Sequence, residues 1–198
     1  LEVRHVPVVG AADEAEILLY DIIVDSEIEA EWFGGVAPEP FVKALRDLDV
    51  QTIHLRINSP GGSVFGARAM ETALREHKAR IVVHIDSLAA SAASFVAMAG
   101  DEIVIAKGAM IMIHKAWTLD IGDADDLRKT ADLLDKIDGT LVETYADRSK
   151  LSLQANRCYA VVVVGGDGVS SVGIRLERGG SVVTENQTGS SFPDVRVC

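Results

Sequence analysis

Residues 52–63 read TIHLRINSPGGS, and they decide the fold. Thr52–Asn58 (TIHLRIN) alternates apolar and polar side chains with the period of two that marks a half-buried strand. Ser59-Pro60-Gly61-Gly62 supplies turn residues, and Ser63–His77 then takes up helical spacing. A strand that ends in Pro-Gly-Gly and opens a helix leaves unpaired backbone N–H groups at the helix start, where an anion or oxyanion can be met. Alone, such a stretch is more often only a turn.

The same alternation extends outward on both sides. Upstream, Ile17–Val24 (ILLYDIIV) is strand-like, and Pro38–Leu48 predicts a helix with Phe41, Leu45 and Leu48 on one face and Pro38 in its first turn. Downstream, Ile81–Ile85 predicts a buried strand and Ala89–Ala99 a tightly packed helix of small residues. Glu102–Ala106 and Met110–Ile113 predict two more short strands. Strands alternating with helices imply βαβ units and a largely parallel sheet with right-handed crossovers. In Asp123–Lys150, Leu127, Ala131, Leu134, Ile137, Leu141 and Tyr145 recur every three or four residues among charged ones. That spacing predicts an amphipathic helix too long for a routine crossover. It packs either on its own domain or, projecting, on a neighbouring subunit.

Composition bounds the function. With 198 residues, 48% hydrophobic and 25% charged, the chain is long enough for one globular domain with a core. No apolar run approaches the roughly 20 residues that span a bilayer, and Leu1 opens no basic-apolar signal pattern. The net charge of −11 argues against nucleic acid or an anionic membrane as partner. Two cysteines, Cys158 and Cys198, have no metal-ligand spacing, so neither a metal nor a cofactor is expected and the location is read as cytoplasmic. Composition also changes near residue 150: residues 1–150 hold 26 of the 30 acidic residues, whereas 151–198 hold ten Val, seven Gly and no Lys. The domain reading is therefore a core over 1–150, including the 123–150 helix, and an atypical Val/Gly/Ser-rich tail over 151–198.

Two further segments carry chemistry-bearing residues. Ala89-Ala90-Ser91-Ala92-Ala93-Ser94-Phe95 places Ser91 at the first turn of a helix, where the macrodipole favours developing negative charge and flanking alanines admit a substrate backbone. The plainer role for Ser91 is a helix cap. Met110-Ile111-Met112-Ile113-His114-Lys115 ends an apolar strand in His114, which can present its ring at the sheet edge. A single histidine is weak support, as His5, His54, His77 and His84 show: His54 and His84 lie within apparent strands, and His77 ends an exposed helix.

Taken together, Asn-Ser-Pro-Gly-Gly before a helix, Ala-Ala-Ser-Ala-Ala-Ser and Met-Ile-His, in that order, resemble the Clp-type serine peptidase family from about Ile17 to Lys150. Trp32-Phe33-Gly34-Gly35, Val64-Phe65-Gly66 and Met98-Ala99-Gly100-Asp101-Glu102-Ile103 resemble its phage and prophage head-maturation branch. The resemblance implies an α/β fold, the ClpP/crotonase-like superhelix of βαβ units, with residues 123–150 as a protruding handle helix between subunits of a homo-oligomeric ring. It implies Ser91 as nucleophile, His114 as general base, and the backbone N–H groups of Gly62 and Ala92 as the oxyanion hole. The implied substrate is an extended polypeptide, with capsid or scaffold proteins or an AAA+ unfoldase as partners.

After Lys150 the resemblance stops. The family's acidic third triad member has no matching motif here; Asp167, Asp120 and Asp123 are alternatives, and the position is left unassigned. The tail is expected to form a strand and a hairpin or to stay partly disordered, and its composition equally suits an altered reading frame after about Leu153. His114 is accordingly expected to lack a tail carboxylate, and the chain to be weakly active or inactive. Two rival readings stay open: a crotonase-like acyl-thioester enzyme on the same fold, and a catalytically silent ring-forming assembly protein.

Overall fold

The computed structural model describes residues 3–6, 13–147, 159–163, 172–178, 181–188 and 194–197, with side chains over 13–145. Its centre is a parallel sheet. β2 (Glu14–Tyr20), β3 (Thr52–Ser59) and β4 (Arg80–Ala90) run side by side, with Ile17 opposite Leu55 and Leu55 opposite Val83. β5 (Glu102–Ile105) pairs with the first half of β4, and β6 (Met110–Ile113) pairs with its last residues, Leu88–Ala90. This change of partner follows a register shift, in which Ile57 faces Ile85 but Ser59 faces Ala89. The extra β4 residues bend its end away and let β6 come alongside.

The outer strands complete the sheet. β1 (Val3–Val6) is antiparallel to β2. Beyond β6 lie β7 (Tyr159–Val163), parallel to it, and β10 (Asp194–Val197), antiparallel to β7. β8 (Val172–Arg178) and β9 (Ser181–Thr188) form a separate antiparallel pair. The described tail segments thus give two strands of the main sheet and a separate antiparallel pair; Asp167, Cys158 and Cys198 lie outside the described residues.

Burial alternates strictly along β2 and β3. The odd-numbered side chains, such as Ile17, Leu55 and Ile57, are fully buried against α2 (Pro38–Arg46), α3 (Val64–Glu76) and α4 (Ala92–Ala97), which contribute Phe41, Met70 and Phe95. Each such side chain contributes about 1.5–3 kcal/mol. The even-numbered face is polar: His54 Nδ1 lies 2.8 Å from His84 Nε2, His54 Nε2 lies 3.2 Å from Glu14, and Arg56 pairs with Asp86. α5 (Ala124–Asp147) is the long helix, with Asp123 as its cap: Asp123 Oδ1 accepts from the N–H groups of Asp125 at 2.9 Å and Asp126 at 3.0 Å. Its start is exposed at Leu127, while Leu141 and Tyr145 near its end pack on the core. Among the described residues no helix is long and apolar enough to cross a membrane.

Three elements differ from the sequence expectations. β2 stops at Tyr20 rather than Val24, because Asp21 takes φ 89° and Ile22–Val24 leave the sheet. They bridge two loops instead: Ile23 N–H donates to Gly61 O at 2.7 Å, and Val36 N–H to Ile22 O at 2.8 Å. Ala89 and Ala90, expected in a helix, extend β4 because Ile111 and Met112 pair with them. Tertiary pairing overrides alanine's helix propensity. A short helix, α1 (Glu27–Phe33), has no buried residue and so no apolar stripe to betray it, although Ser26 caps it.

Candidate active site

The end of β4 feeds the nucleophile candidate into a sharp turn. Ser91 occupies the cap position of α4 with φ 52° and ψ −126°, a conformation that L-residues avoid at a cost of about 1–3 kcal/mol. Its side chain makes no capping hydrogen bond. Instead Ser91 Oγ lies 2.7 Å from His114 Nε2. The plain capping role is thereby excluded. In the tautomer with its proton on Nδ1, His114 Nε2 accepts a hydrogen bond from the Ser91 hydroxyl.

Strand pairing brings the two residues together. Ala90 faces Met112 across β4 and β6, and Ser91 N–H donates to Met112 O at 2.8 Å. His114 follows directly on β6, so the ring leaves the sheet edge beside the serine. The glycine turn closes on the same point. Gly61 has φ 90°, and a Cβ there would lie 2.5 Å from Ala90 O and 2.8 Å from Ala92 N, so only glycine admits this approach. Gly62, at φ 137°, sits against the Ile23 carbonyl. Among the described residues neither Gly62 N–H nor Ala92 N–H meets a hydrogen-bond acceptor within the protein. Two free donors beside a serine–histidine pair are what a tetrahedral oxyanion requires.

Comparison with known proteins is consistent with this arrangement. The family model described as Clp protease matches residues 21–156, a span containing Gly62, Ser91, Ala92 and His114. The chain belongs to the Clp protease family. Curated relatives match shorter stretches. An uncharacterized protein of Methanocaldococcus jannaschii is 41% identical over 59 residues, 30% of this chain and 20% of that protein. A Na(+)/H(+) antiporter NhaA of Brucella abortus is 35% identical over 66 residues, 31% of this chain and 9% of the antiporter; that of Brucella melitensis matches equally. The chain thus spans a fifth or less of the length of these relatives.

In this Clp-family chain the acids weighed for the third position are engaged elsewhere or undescribed. Asp123 caps α5. Asp120 accepts from Thr130 Oγ1 and, at 2.8 Å, from Ile121 N–H. Asp167 lies outside the described residues. Among the described residues His114 Nδ1 has no acceptor, and no cluster of His, Cys, Asp and Glu could hold a metal ion.

Two sets of contacts near the pair escaped sequence reasoning. Asp138, in the middle of α5, accepts from Ala116 N–H at 2.8 Å and so tethers the backbone two residues past His114. Ser94 Oγ donates to Ser91 O at 2.7 Å and lies 2.8 Å from Tyr145 Oη. Tyr145 reads from sequence as one more member of an apolar stripe. Its spacing carries no sign that its hydroxyl has a buried partner.

Proposed function

We propose that this chain is a serine endopeptidase that cleaves extended or unfolded polypeptide segments. The observation that carries the reading is the 2.7 Å contact between Ser91 Oγ and His114 Nε2. Ser91 attacks the scissile carbonyl while His114 Nε2 takes its proton; His114⁺ then returns the proton to the leaving amine, and water hydrolyses the acyl-enzyme by the same route. The Gly62 and Ala92 N–H groups hold the oxyanion at each tetrahedral stage. An extended substrate pairs backbone to backbone beside the glycine turn, which reads little side-chain sequence. Subunits assemble through α5 into a ring, in keeping with the family. Trp32-Phe33-Gly34-Gly35 and Val64-Phe65-Gly66 favour the phage or prophage head-maturation branch, with capsid and scaffold segments as substrates.

A fluorophosphonate probe tests the chemistry. It should label the wild-type chain at Ser91 and leave Ser91→Ala unlabelled. Turnover of an acyl-thioester without turnover of peptides would refute the peptidase reading and favour the crotonase-like one. Portal and capsid genes beside the gene would support the maturation role; a neighbourhood without them counts against it.

One observation favours a second reading, a silent or slow ring-forming protein. His114 Nδ1 lacks an acceptor among the described residues. Without a carboxylate to fix the tautomer and stabilise the imidazolium, turnover falls by about 10⁴ in a well-studied serine protease. Slow labelling of Ser91 with undetectable peptide turnover would select this reading.

A further inference from the structure

Ser91 adopts a conformation that its own side chain does not favour, so its neighbours must hold it. On the β6 side, Ser91 N–H is fixed to Met112 O. On the helix side, Ser91 O accepts from Ser94 N–H at 3.0 Å and Phe95 N–H at 3.4 Å, the ordinary start of α4. It also accepts from Ser94 Oγ at 2.7 Å, which an ordinary helix start does not require.

A count of protons sets the direction of the bond beyond Ser94. A serine hydroxyl has one proton, and Ser94 commits it to the Ser91 carbonyl. The 2.8 Å contact to Tyr145 Oη must therefore be donated by the tyrosine. The result is a directed chain from Tyr145 O–H to Ser94 O–H to the Ser91 carbonyl, in which each bond polarises the next. Ser94 is fully buried, so water does not compete for these groups. Burial pushes the Tyr145 phenol up to about 12, so it keeps its proton at any working pH. Nearby, Arg68 Nη2 donates to Thr140 Oγ1 at 2.9 Å while its guanidinium covers the Phe95 ring at 4.1 Å, which holds the end of α5 against α4.

We propose that Tyr145 is a positioning residue, whose hydroxyl acts through Ser94 to hold the Ser91 turn so that Oγ faces His114. The inference rests on the reading of Ser91 as nucleophile. It adds that the long helix contributes to the serine's geometry as well as to assembly.

Tyr145→Phe in the full chain keeps the ring and removes the donor. The second-order rate of fluorophosphonate labelling, measured per reactive site after titration, should fall roughly five- to tenfold, the worth of one net hydrogen bond. Where peptide turnover is measurable, kcat should fall with it and KM stay unchanged. Ser94→Ala should lose at least as much, and the double variant no more than Ser94→Ala, because the two act in series. A purely structural role would lower the fraction of reactive sites and leave the rate per site unchanged. The ¹⁵N shift of His114 Nε2 gives a readout that needs no turnover, and it should move in Tyr145→Phe as the Ser91 contact loosens. Wild-type labelling rate per site, or an unmoved shift, overturns the proposal. Ser91→Ala separates the two failures: if that variant still labels, the nucleophile assignment is wrong.

Discussion

Ser91, held at φ 52°, is the residue on which chemistry and strain meet. Ser91→Ala removes the oxygen of the proposed nucleophile but keeps the Cβ, so the strained backbone stays strained. Ser91→Gly relieves it. Both variants should be inert to the probe, while Ser91→Gly should be more stable than Ser91→Ala by about 1 kcal/mol, read from urea unfolding. Equal stabilities would mean that the turn carries no strain. His114→Ala should abolish labelling nearly as fully as Ser91→Ala, since members of such a unit fail together. Gly61→Ala is the complementary test. Its Cβ would meet two backbone atoms, Ala90 O and Ala92 N, and neither can swing aside. Destabilisation of ~2 kcal/mol or more, together with slower labelling, is expected. A variant with wild-type stability and labelling would show that the glycine turn does not press on the nucleophile turn.

Among the elements, the polar face of β2–β4 carries a histidine, His84, whose titration is coupled to folding. His84 is held below its ordinary 6.5, first by burial and then by His54 and Arg56, with Asp86 and Glu16 opposing. The folded state therefore binds this proton more weakly than the unfolded chain. The stability so contributed is complete above pH 6.5 and is lost as pH falls through the lowered folded value. His84→Gln should flatten the decline in unfolding midpoint between about pH 7 and 5. An unchanged slope would place the pH dependence elsewhere. For α5 the tests concern two ends of one helix. Asp123→Ala removes the acceptor of two N–H groups and should cost about 1 kcal/mol. It should leave labelling of Ser91 unaltered.

At the scale of the whole molecule, α5 leaves Leu127, Leu133 and Val142 exposed on a single chain. If these and their neighbours pack between subunits, Leu134→Asp or Ile137→Asp should yield monomers with lower activity. Sedimentation decides it, and a wild-type chain that is monomeric at micromolar concentration would defeat the ring. The tail belongs to the same scale. β7 lies parallel to β6 with Val163 opposite Ile113, so its backbone runs out at the same sheet end as His114.

The fold class was legible in the sequence because local patterns carry it. The period-two run of Thr52–Asn58, the short apolar run of Met110–Ile113, the Pro-Gly-Gly turn and the repeat from Leu127 to Tyr145 each reflect a constraint between near neighbours. Ser91, His114, Gly62 and Ala92 were nameable only through the resemblance of three ordered motifs to the Clp-type family, since each motif read alone favoured a plainer role. Other features required the tertiary structure. The end of β2 at Tyr20 depends on Ile22–Val24 finding partners in Val36 and Gly61. The two alanines of β4 depend on Ile111 and Met112 arriving beside them. Tyr145 and Ser94 lie 51 residues apart, and no periodicity records a bond at that separation. Sequence thus determined most of the segments that form strands and helices, though not all of their ends. Tertiary packing decided which of those ends meet, because a hydrogen bond between distant side chains depends on the shape of everything folded between them.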